Sequence, residues 1–229
     1  MIEDVRKGFA AVVTGVGRGI GAAAAAALTR AGGKVTVAAR TAGEVEAVVK
    51  RGEAALAVAC DVSREAEVAR LLAEHQAALG PCDVLVCCAG VLERDPVELL
   101  SPTRWRTVLE VNLTGAFLCA RAAVPEMKAR RRGRIVNVAS ISGTLGTPEA
   151  TAYNASKWGL IGFTKSLAEE LRDHRVQALS VSPGSVDTEM LRKTSFRPRM
   201  SAAEVAKVIA WCALEAPDAM TGANVEVFG

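Results

Sequence analysis

The chain has 229 residues, half of them hydrophobic and 23% charged, which excludes an intrinsically disordered chain and suits one α/β domain. Its formal net charge of +3 and the lack of an apolar run of roughly 18–20 residues predict neither nucleic acid nor a membrane as partner. Six cysteines without CxxC spacing predict no metal site and favour a reduced, cytoplasmic protein, and the acids in the opening MIEDVRKGFAAVV argue against a signal peptide.

Short runs rich in β-branched residues alternate with longer Ala- and Leu-rich stretches, and this alternation predicts parallel strands joined by helices. The predicted strands are Ala10–Thr14, Lys34–Ala39, Ala54–Ala59, Asp83–Cys87, Arg134–Ala139, Val176–Val181 and Asn224–Phe228. The predicted helices are Gly19–Ala31, Ala42–Lys50, Arg64–Leu79, Thr103–Arg130, Ala152–Asp173 and Ala202–Glu215. No linker divides the chain, so residues 1–229 are expected to form a single α/β domain with helices on both faces of its sheet.

Two serines are predicted to begin helices. Ser63 and Ser201 each precede a helical stretch, and Glu65 and Glu204 are placed to support the first turn. Both serines are therefore expected to cap the helix that follows them.

A glycine-rich segment, TGVGRGIG, follows the first predicted strand and opens directly into a helix. Gly15, Gly17, Gly19 and Gly21 let the backbone turn sharply and approach a pyrophosphate, which would lie at the N-terminus of that helix. A plain strand–helix turn, the alternative, needs only one or two glycines. The segment therefore predicts a dinucleotide-binding site.

The choice between NAD and NADP depends on the end of the second predicted strand, where an acidic side chain would hold the ribose 2′-hydroxyl of NAD. Here Arg40 stands 19 residues after Gly21, and Arg18 lies within the glycine loop. Each arginine alone could be a solvated surface charge. Two guanidinium groups can clamp a 2′-phosphate, however, and together with the missing acid they predict NADP(H).

A group of polar residues indicates proton-transfer chemistry. Tyr153 is the only tyrosine, and Lys157 follows it by one helical turn, so both side chains leave the same face of the helix. An ammonium group close to a phenol favours the phenolate and is expected to lower the tyrosine pKa. Ser140 ends a predicted strand and Asn112 lies within a long helix; each of these two could also be an ordinary structural residue.

Together with the glycine loop, these residues resemble the short-chain dehydrogenase/reductase superfamily, in particular its 3-oxoacyl-(acyl-carrier-protein) reductase-like members. The matching segments are TGVGRGIG at 14–21, CDV at 60–62, CCAG at 87–90, VNLTG at 111–115, RIVNVASISG at 134–143, YNASK at 153–157 and PGSVDT at 183–188. The resemblance covers essentially the whole chain. It implies a three-layer Rossmann fold with a seven-stranded parallel sheet.

The resemblance also implies roles for individual residues. Tyr153 would be the acid/base, Lys157 would hold the nicotinamide ribose, Ser140 would bind the substrate carbonyl and Asn112 would position a water molecule. The residues expected to bind the cofactor are Gly15, Gly17, Arg18, Gly19, Ile20, Gly21, Arg40, Thr41, Asp61, Val62, Cys88, Ala89, Gly90, Val111, Tyr153, Lys157, Pro183, Gly184, Val186 and Thr188.

The chain departs from the family pattern in two places near the expected site. Cys87 and Cys88 stand where the family usually has two asparagines, and Cys is a much weaker hydrogen-bond donor. Only twelve residues separate Thr188 from Ser201, where relatives often insert two lid helices. We therefore expect local support of the central sheet to come from other groups, and the active site to be more open.

The resemblance implies an NADP(H)-dependent oxidoreductase acting on a carbonyl group or secondary alcohol, with 3-oxoacyl thioester reduction as the leading activity. A redox-sensing regulatory protein that binds NADP without turnover is the alternative, although such proteins typically lose the Tyr/Lys pair. The basic run Lys128–Arg134 is either a solvated helix end or a docking patch for an acidic acyl carrier protein.

Apolar residues on more than one face of two long helices predict assembly of the chain with further copies of itself. These residues are Trp105, Phe117, Leu118, Trp158, Leu160 and Phe163. One helix stripe suffices to cover a sheet, so a second apolar face is expected to meet another subunit in a homodimer or homotetramer. The alternative is a monomer in which these side chains lie beneath the active-site loops.

Overall fold

A computed structural model of the chain describes residues 8–229, without the side chain of Lys193; the acid-bearing start of the chain, residues 1–7, lies outside the described residues. The strands are β1 (Ala10–Thr14), β2 (Lys34–Ala39), β3 (Leu56–Ala59), β4 (Val84–Cys87), β5 (Gly133–Val138), β6 (Val176–Pro183), β7 (Val186–Asp187), β8 (Met200–Ser201) and β9 (Asn224–Val227). Seven of them form a parallel sheet in the order β3-β2-β1-β4-β5-β6-β9, and β7 pairs with β8. The predicted seven-stranded parallel sheet is thus confirmed.

Helices cover both faces of this sheet. They are α1 (Gly19–Arg30), α2 (Ala42–Lys50), α3 (Glu65–Leu79), α4 (Pro102–Leu109), α5 (Gly115–Arg130), α6 (Thr151–Leu171) and α7 (Ala202–Leu214). One core includes buried residues of α3, α5 and α6, and the other includes buried residues of α1, α2 and α7. The strand order reverses between β1 and β4, which places a crevice for a ligand at their carboxyl ends.

The helix predicted over Thr103–Arg130 is interrupted. A wide π-helical turn, Glu110–Thr114, separates α4 from α5, and the buried Asn112 lies at its centre. The Asn112 amide bonds to both backbone groups of Val91 in the loop after β4. Single wide turns of this kind occur most often at functional sites.

The same stretch, Pro102–Arg130, is long and apolar enough by composition to cross a membrane, with a mean hydropathy of 1.3 in its most apolar window. Core helices of water-soluble proteins meet the same criterion. Leu118, Cys119 and Met127 of α5 are buried in the core, so packing against the sheet accounts for this apolar character.

One of the two predicted helix caps is wrong. Helix α3 begins after Arg64, and no side chain caps it. Ser63 lies one residue before the N-cap position, which Arg64 occupies, and its hydroxyl donates to Asp61 Oδ1 at 2.7 Å. The Ser201 cap of α7 is confirmed: its Oγ accepts from the Glu204 backbone N–H, and Glu204 Oε2 accepts from the Ser201 backbone N–H at 2.7 Å.

The exposed apolar surface of α5 and α6 is smaller than the sequence predicts. Leu118 and Leu160 are buried in the core of the chain itself, so they offer nothing to a second subunit. Phe117 and Trp158 remain 43% and 53% exposed, and the Phe117 ring packs edge-to-face on Phe163. A smaller apolar patch therefore remains on the outer surface of these two helices.

Most cations of the basic run Lys128–Arg134 form contacts within the chain. Arg130 and Arg132 both approach Asp83, and Lys128 pairs with Glu170. Arg134 is buried and donates to the carbonyl groups of Cys212 and Ala216 at the end of α7. These cations tie α5, α6 and α7 to their neighbours, which neither of the two interpretations of the run anticipates.

The capping box of α7 yields a stability prediction. Ser201→Ala removes the acceptor for the Glu204 N–H, and we expect it to lower the free energy of unfolding by about 1 kcal/mol. Urea unfolding followed by circular dichroism measures the change. Ser195→Ala, at an exposed loop position, is the matched control and should leave the unfolding midpoint unchanged. Equal midpoints for the two variants would contradict the assigned cap.

Candidate active site

Two cavities meet at the carboxyl edge of the sheet. The first, of about 280 Å³, lies along the glycine loop, and the second, of about 430 Å³, lies beyond Ser140. Tyr153 and Ala139 line both cavities. The adjoining spaces suit a bound nucleotide and a second molecule that meet at Tyr153.

Close backbone contacts require glycine at two positions of the loop. Gly15 has a φ of +74°, and a Cβ atom there would lie 2.5 Å from the backbone of Ala89. A Cβ atom on Gly21 would lie 2.3 Å from the Gly15 carbonyl oxygen. No side chain caps the N-terminus of α1, whose free N–H groups can therefore bind a pyrophosphate. The loop thus fits a dinucleotide cofactor.

The structure brings most of the predicted cofactor residues to the first cavity. Its lining includes Gly15, Gly17, Arg18, Gly19, Ile20, Gly21, Arg40, Thr41, Asp61, Val62, Cys88, Ala89, Gly90, Val111, Tyr153, Lys157 and Thr188. Three others, Pro183, Gly184 and Val186, line the second cavity together with Ser140. Asn112 is fully buried and lies behind the lining. Within residues 8–229 no cluster of His, Cys, Asp or Glu could hold a metal ion.

Charged groups of both signs surround the first cavity. The Arg18 guanidinium forms an ion pair with Glu189 and lies 4.0 Å from Glu44. Burial alone would raise the Asp61 pKa, but hydrogen bonds from Ser63 and the nearby Arg40 charge hold that pKa below its usual value. Sequence reasoning missed Glu44 and Glu189. Glu44 could have been found from its place in the first turn of the helix after β2, whereas Glu189 has only its position after Thr188 as a signal.

Lys157 is buried and lies beside the half-buried Tyr153. Lys157 Nζ is 5.6 Å from the centre of the Tyr153 ring and donates a 2.8 Å hydrogen bond to the Val138 carbonyl. Burial lowers the pKa of Lys157 to about 8. Burial also raises the pKa of Tyr153 above 10, although the Ser140 hydroxyl acts in the opposite direction. The expected lowering of the Tyr153 pKa is therefore wrong for the chain alone, because burial outweighs the favourable groups.

The buried Ser140 lines the second cavity. Its Oγ accepts a hydrogen bond from the Ser142 backbone N–H at 3.1 Å. Since this contact uses only a lone pair, the hydroxyl proton remains available to another acceptor. Ser140 can thus donate to an oxygen atom of a bound molecule.

Asn112 connects three segments beneath the site. Its Oδ1 accepts from Val91 N–H at 2.7 Å, and its Nδ2 donates to the Val91 carbonyl and to Ser156 Oγ. These bonds use both Nδ2 hydrogens. In the described residues Asn112 therefore fixes the loop after β4 to α6, and its expected water contact stays a prediction.

The two cysteines after β4 have different surroundings. Cys87 is buried, and its hydrogen bond with Cys119 of α5 together with this burial holds its pKa well above the usual value. Cys88 lines the first cavity, and its backbone N–H donates to Thr14 Oγ1 at 3.3 Å. Sheet packing and this backbone bond supply the local support that asparagine side chains are expected to give.

Three arginines around the second cavity were also missed by sequence reasoning. Arg94 lies in the loop after β4, and Arg197 and Arg199 precede β8. The short segment after Thr188 also lines this cavity through Met190, which partly encloses the site. No spacing marks these arginines, because they reach the cavity from separate loops.

Comparisons with known proteins agree with this geometry. The family model described as short chain dehydrogenase matches residues 10–198. A 3-oxoacyl-(acyl-carrier-protein) reductase of Synechocystis sp. is 37% identical over 193 residues, covering 82% of this chain and 78% of that protein. A 2-dehydro-3-deoxy-L-rhamnonate dehydrogenase (NAD(+)) of Sphingomonas sp. is 40% identical over 185 residues, covering 80% of this chain and 74% of that protein.

A solved structure is similar over nearly its full length. The 3-ketoacyl-(acyl-carrier-protein) reductase of Brucella melitensis, complexed with NADH, superposes with a TM-score of 0.91 at 28% identity, covering 96% of this chain and 97% of that one. The family match covers most of the chain, and the nucleotide cleft agrees with the nicotinamide cofactor of that structure. The chain therefore belongs to the short-chain dehydrogenase/reductase family of oxidoreductases.

Proposed function

We propose that the protein is an NADP(H)-dependent oxidoreductase that interconverts a carbonyl group and a secondary alcohol. The observation that carries this proposal is the position of Tyr153, which lines both the nucleotide cleft and the second cavity. A phenol at this junction can reach the oxygen atom of a substrate beside the cofactor. The nicotinamide, when bound, supplies or accepts the hydride.

The side chains of the site suit proton transfer to the carbonyl oxygen. Like any phenol, Tyr153 keeps its proton near neutral pH, and burial raises its pKa further, so it acts as the acid in the direction of reduction. Ser140 donates a second hydrogen bond to the same oxygen. Lys157, with a pKa of about 8, remains mostly charged at pH 7 and stabilises the phenolate that proton donation leaves behind.

NADP(H) is the proposed cofactor because two guanidinium groups border the expected position of the adenosine ribose. Arg40 directly follows β2 and is exposed, and Arg18 belongs to the glycine loop. A 2′-phosphate would compete with Glu189 for Arg18, so Arg40 is expected to contribute more. The comparisons support a nicotinamide cofactor in general, since the relatives include an NAD(+) enzyme and an NADH complex.

A small carbonyl compound or an acyl thioester is the proposed substrate. Relatives named 3-oxoacyl-(acyl-carrier-protein) reductase, from Synechocystis sp. and Escherichia coli, support 3-oxoacyl reduction, with acyl carrier protein as a candidate partner. The free cysteines in residues 8–229 support a reducing, cytoplasmic setting. A redox-sensing regulator without turnover is less well supported, because Tyr153 and Lys157 are both retained beside the cavity.

We also propose that residues 1–229 act as one domain and assemble as a homodimer or homotetramer. Both core clusters pack on one sheet, which supports a single domain. The exposed Phe117 and Trp158 on α5 and α6 form an apolar patch that a second copy could cover. Such pairing would brace the helix that carries Tyr153 and Lys157.

The first prediction concerns catalysis. Tyr153→Phe removes only the phenolic hydroxyl, so we expect unchanged NADPH affinity and at least a ~10²-fold loss of turnover, the usual contribution of a positioned acid. NADPH oxidation with a 3-oxoacyl thioester and with a simple ketone measures turnover, and cofactor fluorescence measures affinity. Turnover within a few-fold of the parent protein would remove Tyr153 from the mechanism.

The second prediction concerns cofactor choice. Arg40→Asp replaces attraction of the 2′-phosphate by repulsion, and we expect a shift of more than ~10-fold toward NADH, since a charge-assisted hydrogen bond contributes about 1.5–3 kcal/mol. The ratio of kcat/KM for the two cofactors measures this shift. Arg64→Asp is the matched control, because Arg64 is exposed near Asp61 and outside the cleft lining. The same kcat/KM ratio in both variants would contradict a role of Arg40 in cofactor choice.

The third prediction concerns assembly. Light scattering at micromolar concentration should give about twice or four times the 23.9 kDa chain mass. Phe117→Glu combined with Trp158→Glu should reduce that mass, because charges would be buried at the interface. Leu99→Glu, at an exposed apolar residue ahead of α4, is the control and should leave the mass unchanged. A mass of one chain for the parent protein would refute the pairing.

A further inference from the structure

All charged residues that line the second cavity are positively charged. Arg94, Arg197 and Arg199 all line it, and none of the described residues that line it is acidic. This contrasts with the nucleotide cleft, where Glu44 and Glu189 accompany the arginines. A cavity with three cations and no lining carboxylate attracts an anionic ligand.

Arg94 is held in place rather than free in solvent. Its side chain is only 20% exposed, and its guanidinium carbon lies 5.9 Å from the centre of the Phe196 ring. Its Nη2 donates to the Pro148 carbonyl at 3.2 Å and approaches Glu149 Oε2 at 3.4 Å. Both contacts use the same nitrogen, which leaves the hydrogens of Nε and Nη1 for a ligand. A guanidinium supported in this way is pre-organised for binding.

The uncharged residues of the cavity wall indicate the shape and polarity of the rest of the ligand. Besides the arginines, Ser140 and Tyr153, the walls include the apolar residues Leu92, Ile141, Met190, Leu191 and Phe228. The cavity volume of about 430 Å³ lies within the usual range of small-ligand pockets. The cavity therefore suits a molecule with a carbonyl group at one end, a compact apolar body and an anionic group near Arg94.

We propose that Arg94, assisted by Arg197 and Arg199, forms a subsite that binds a carboxylate on the substrate, so that the preferred substrates are oxo acids or the matching hydroxy acids. This inference rests on the proposed function, and among its candidate substrates it favours small carbonyl compounds with a free carboxylate over acyl thioesters, in which that carboxylate is esterified. A carboxylate fits better than a larger dianion, because Glu149 already neutralises part of the Arg94 charge. The salt bridge would fix the distance between the anionic group and the carbonyl at Tyr153.

The experiment compares charged substrates with neutral ones of the same shape. NADPH oxidation is measured with levulinate and 5-oxohexanoate, with the carboxamide of each, and with cyclohexanone as a neutral ketone. For the parent protein we expect kcat/KM to be at least ~10-fold higher for one or both acids than for their carboxamides, as charge-assisted hydrogen bonds imply. The difference should be mainly in KM, because the subsite binds a group remote from the reaction.

Variants identify the residue responsible. Arg94→Gln should raise KM for the acids roughly tenfold to a hundredfold and leave kcat/KM for the carboxamides within about twofold. Arg94→Lys should restore part of the preference, and Arg199→Gln tests the subsite independently should Arg94→Gln fail to fold. Arg192→Gln, an exposed arginine outside the cavity lining, is the matched control and should resemble the parent protein.

The outcomes separate this inference from the proposed function. Carboxamides used as well as acids, or equal effects of Arg94→Gln and Arg192→Gln, would overturn the subsite. A phosphonate analogue preferred tenfold over its acid would overturn the assignment to carboxylate. Absence of NADPH oxidation with every ketone would contradict the proposed function. The subsite would then be tested by calorimetry, with the acids titrated into the NADP+-loaded protein. Binding that Arg94→Gln abolishes would support the subsite, and absence of binding to the parent protein would overturn it.

Discussion

The hydrogen bond from Lys157 Nζ to the Val138 carbonyl is the contact on which the geometry of the site depends. A buried ammonium group is costly unless it is hydrogen-bonded, and here the last residue of β5 supplies the acceptor. The bond fixes α6 against the carboxyl edge of the sheet. Tyr153 lies one turn earlier on α6 and Ser140 lies two residues beyond β5, so both are positioned by the same anchor. The junction of the two cavities follows from this arrangement.

The arginines on the two sides of Tyr153 have different partners. On the nucleotide side Arg18 is balanced by Glu189, a carboxylate with which any anion bound at Arg18 would compete. On the other side Arg94 is supported by the Phe196 ring and a backbone carbonyl. Arg134, by contrast, is buried and closes the C-terminal end of α7. Arginine side chains thus line two cavities and, in a third place, close the end of a helix.

The strands, most helices and the glycine loop could be predicted from the sequence, because local apolar patterns and glycine spacing encode them directly. The inward orientation of Leu118 and Leu160 could not be predicted, since periodicity does not tell which face meets the sheet. The Tyr153 pKa depends on burial, which is a property of the folded chain. Arg94 likewise reaches its cavity only through tertiary contacts with loops far away in sequence. The roles assigned to the site residues stay predictions.

The wide turn at Glu110–Thr114 allows one continuous helical stretch to face two directions. An extra residue in a turn rotates everything beyond it by roughly 100° relative to a regular α-helix. Helix α4 can therefore lie near α6, while α5 presents Leu118 and Met127 to the sheet. Loss of a single residue here would restore regular α-helical winding. Either Asn112 would then turn away from Val91, or the core face of α5 would turn away from the sheet. We therefore expect a change in the length of the helical stretch at this turn to be more disruptive than substitutions along its surface.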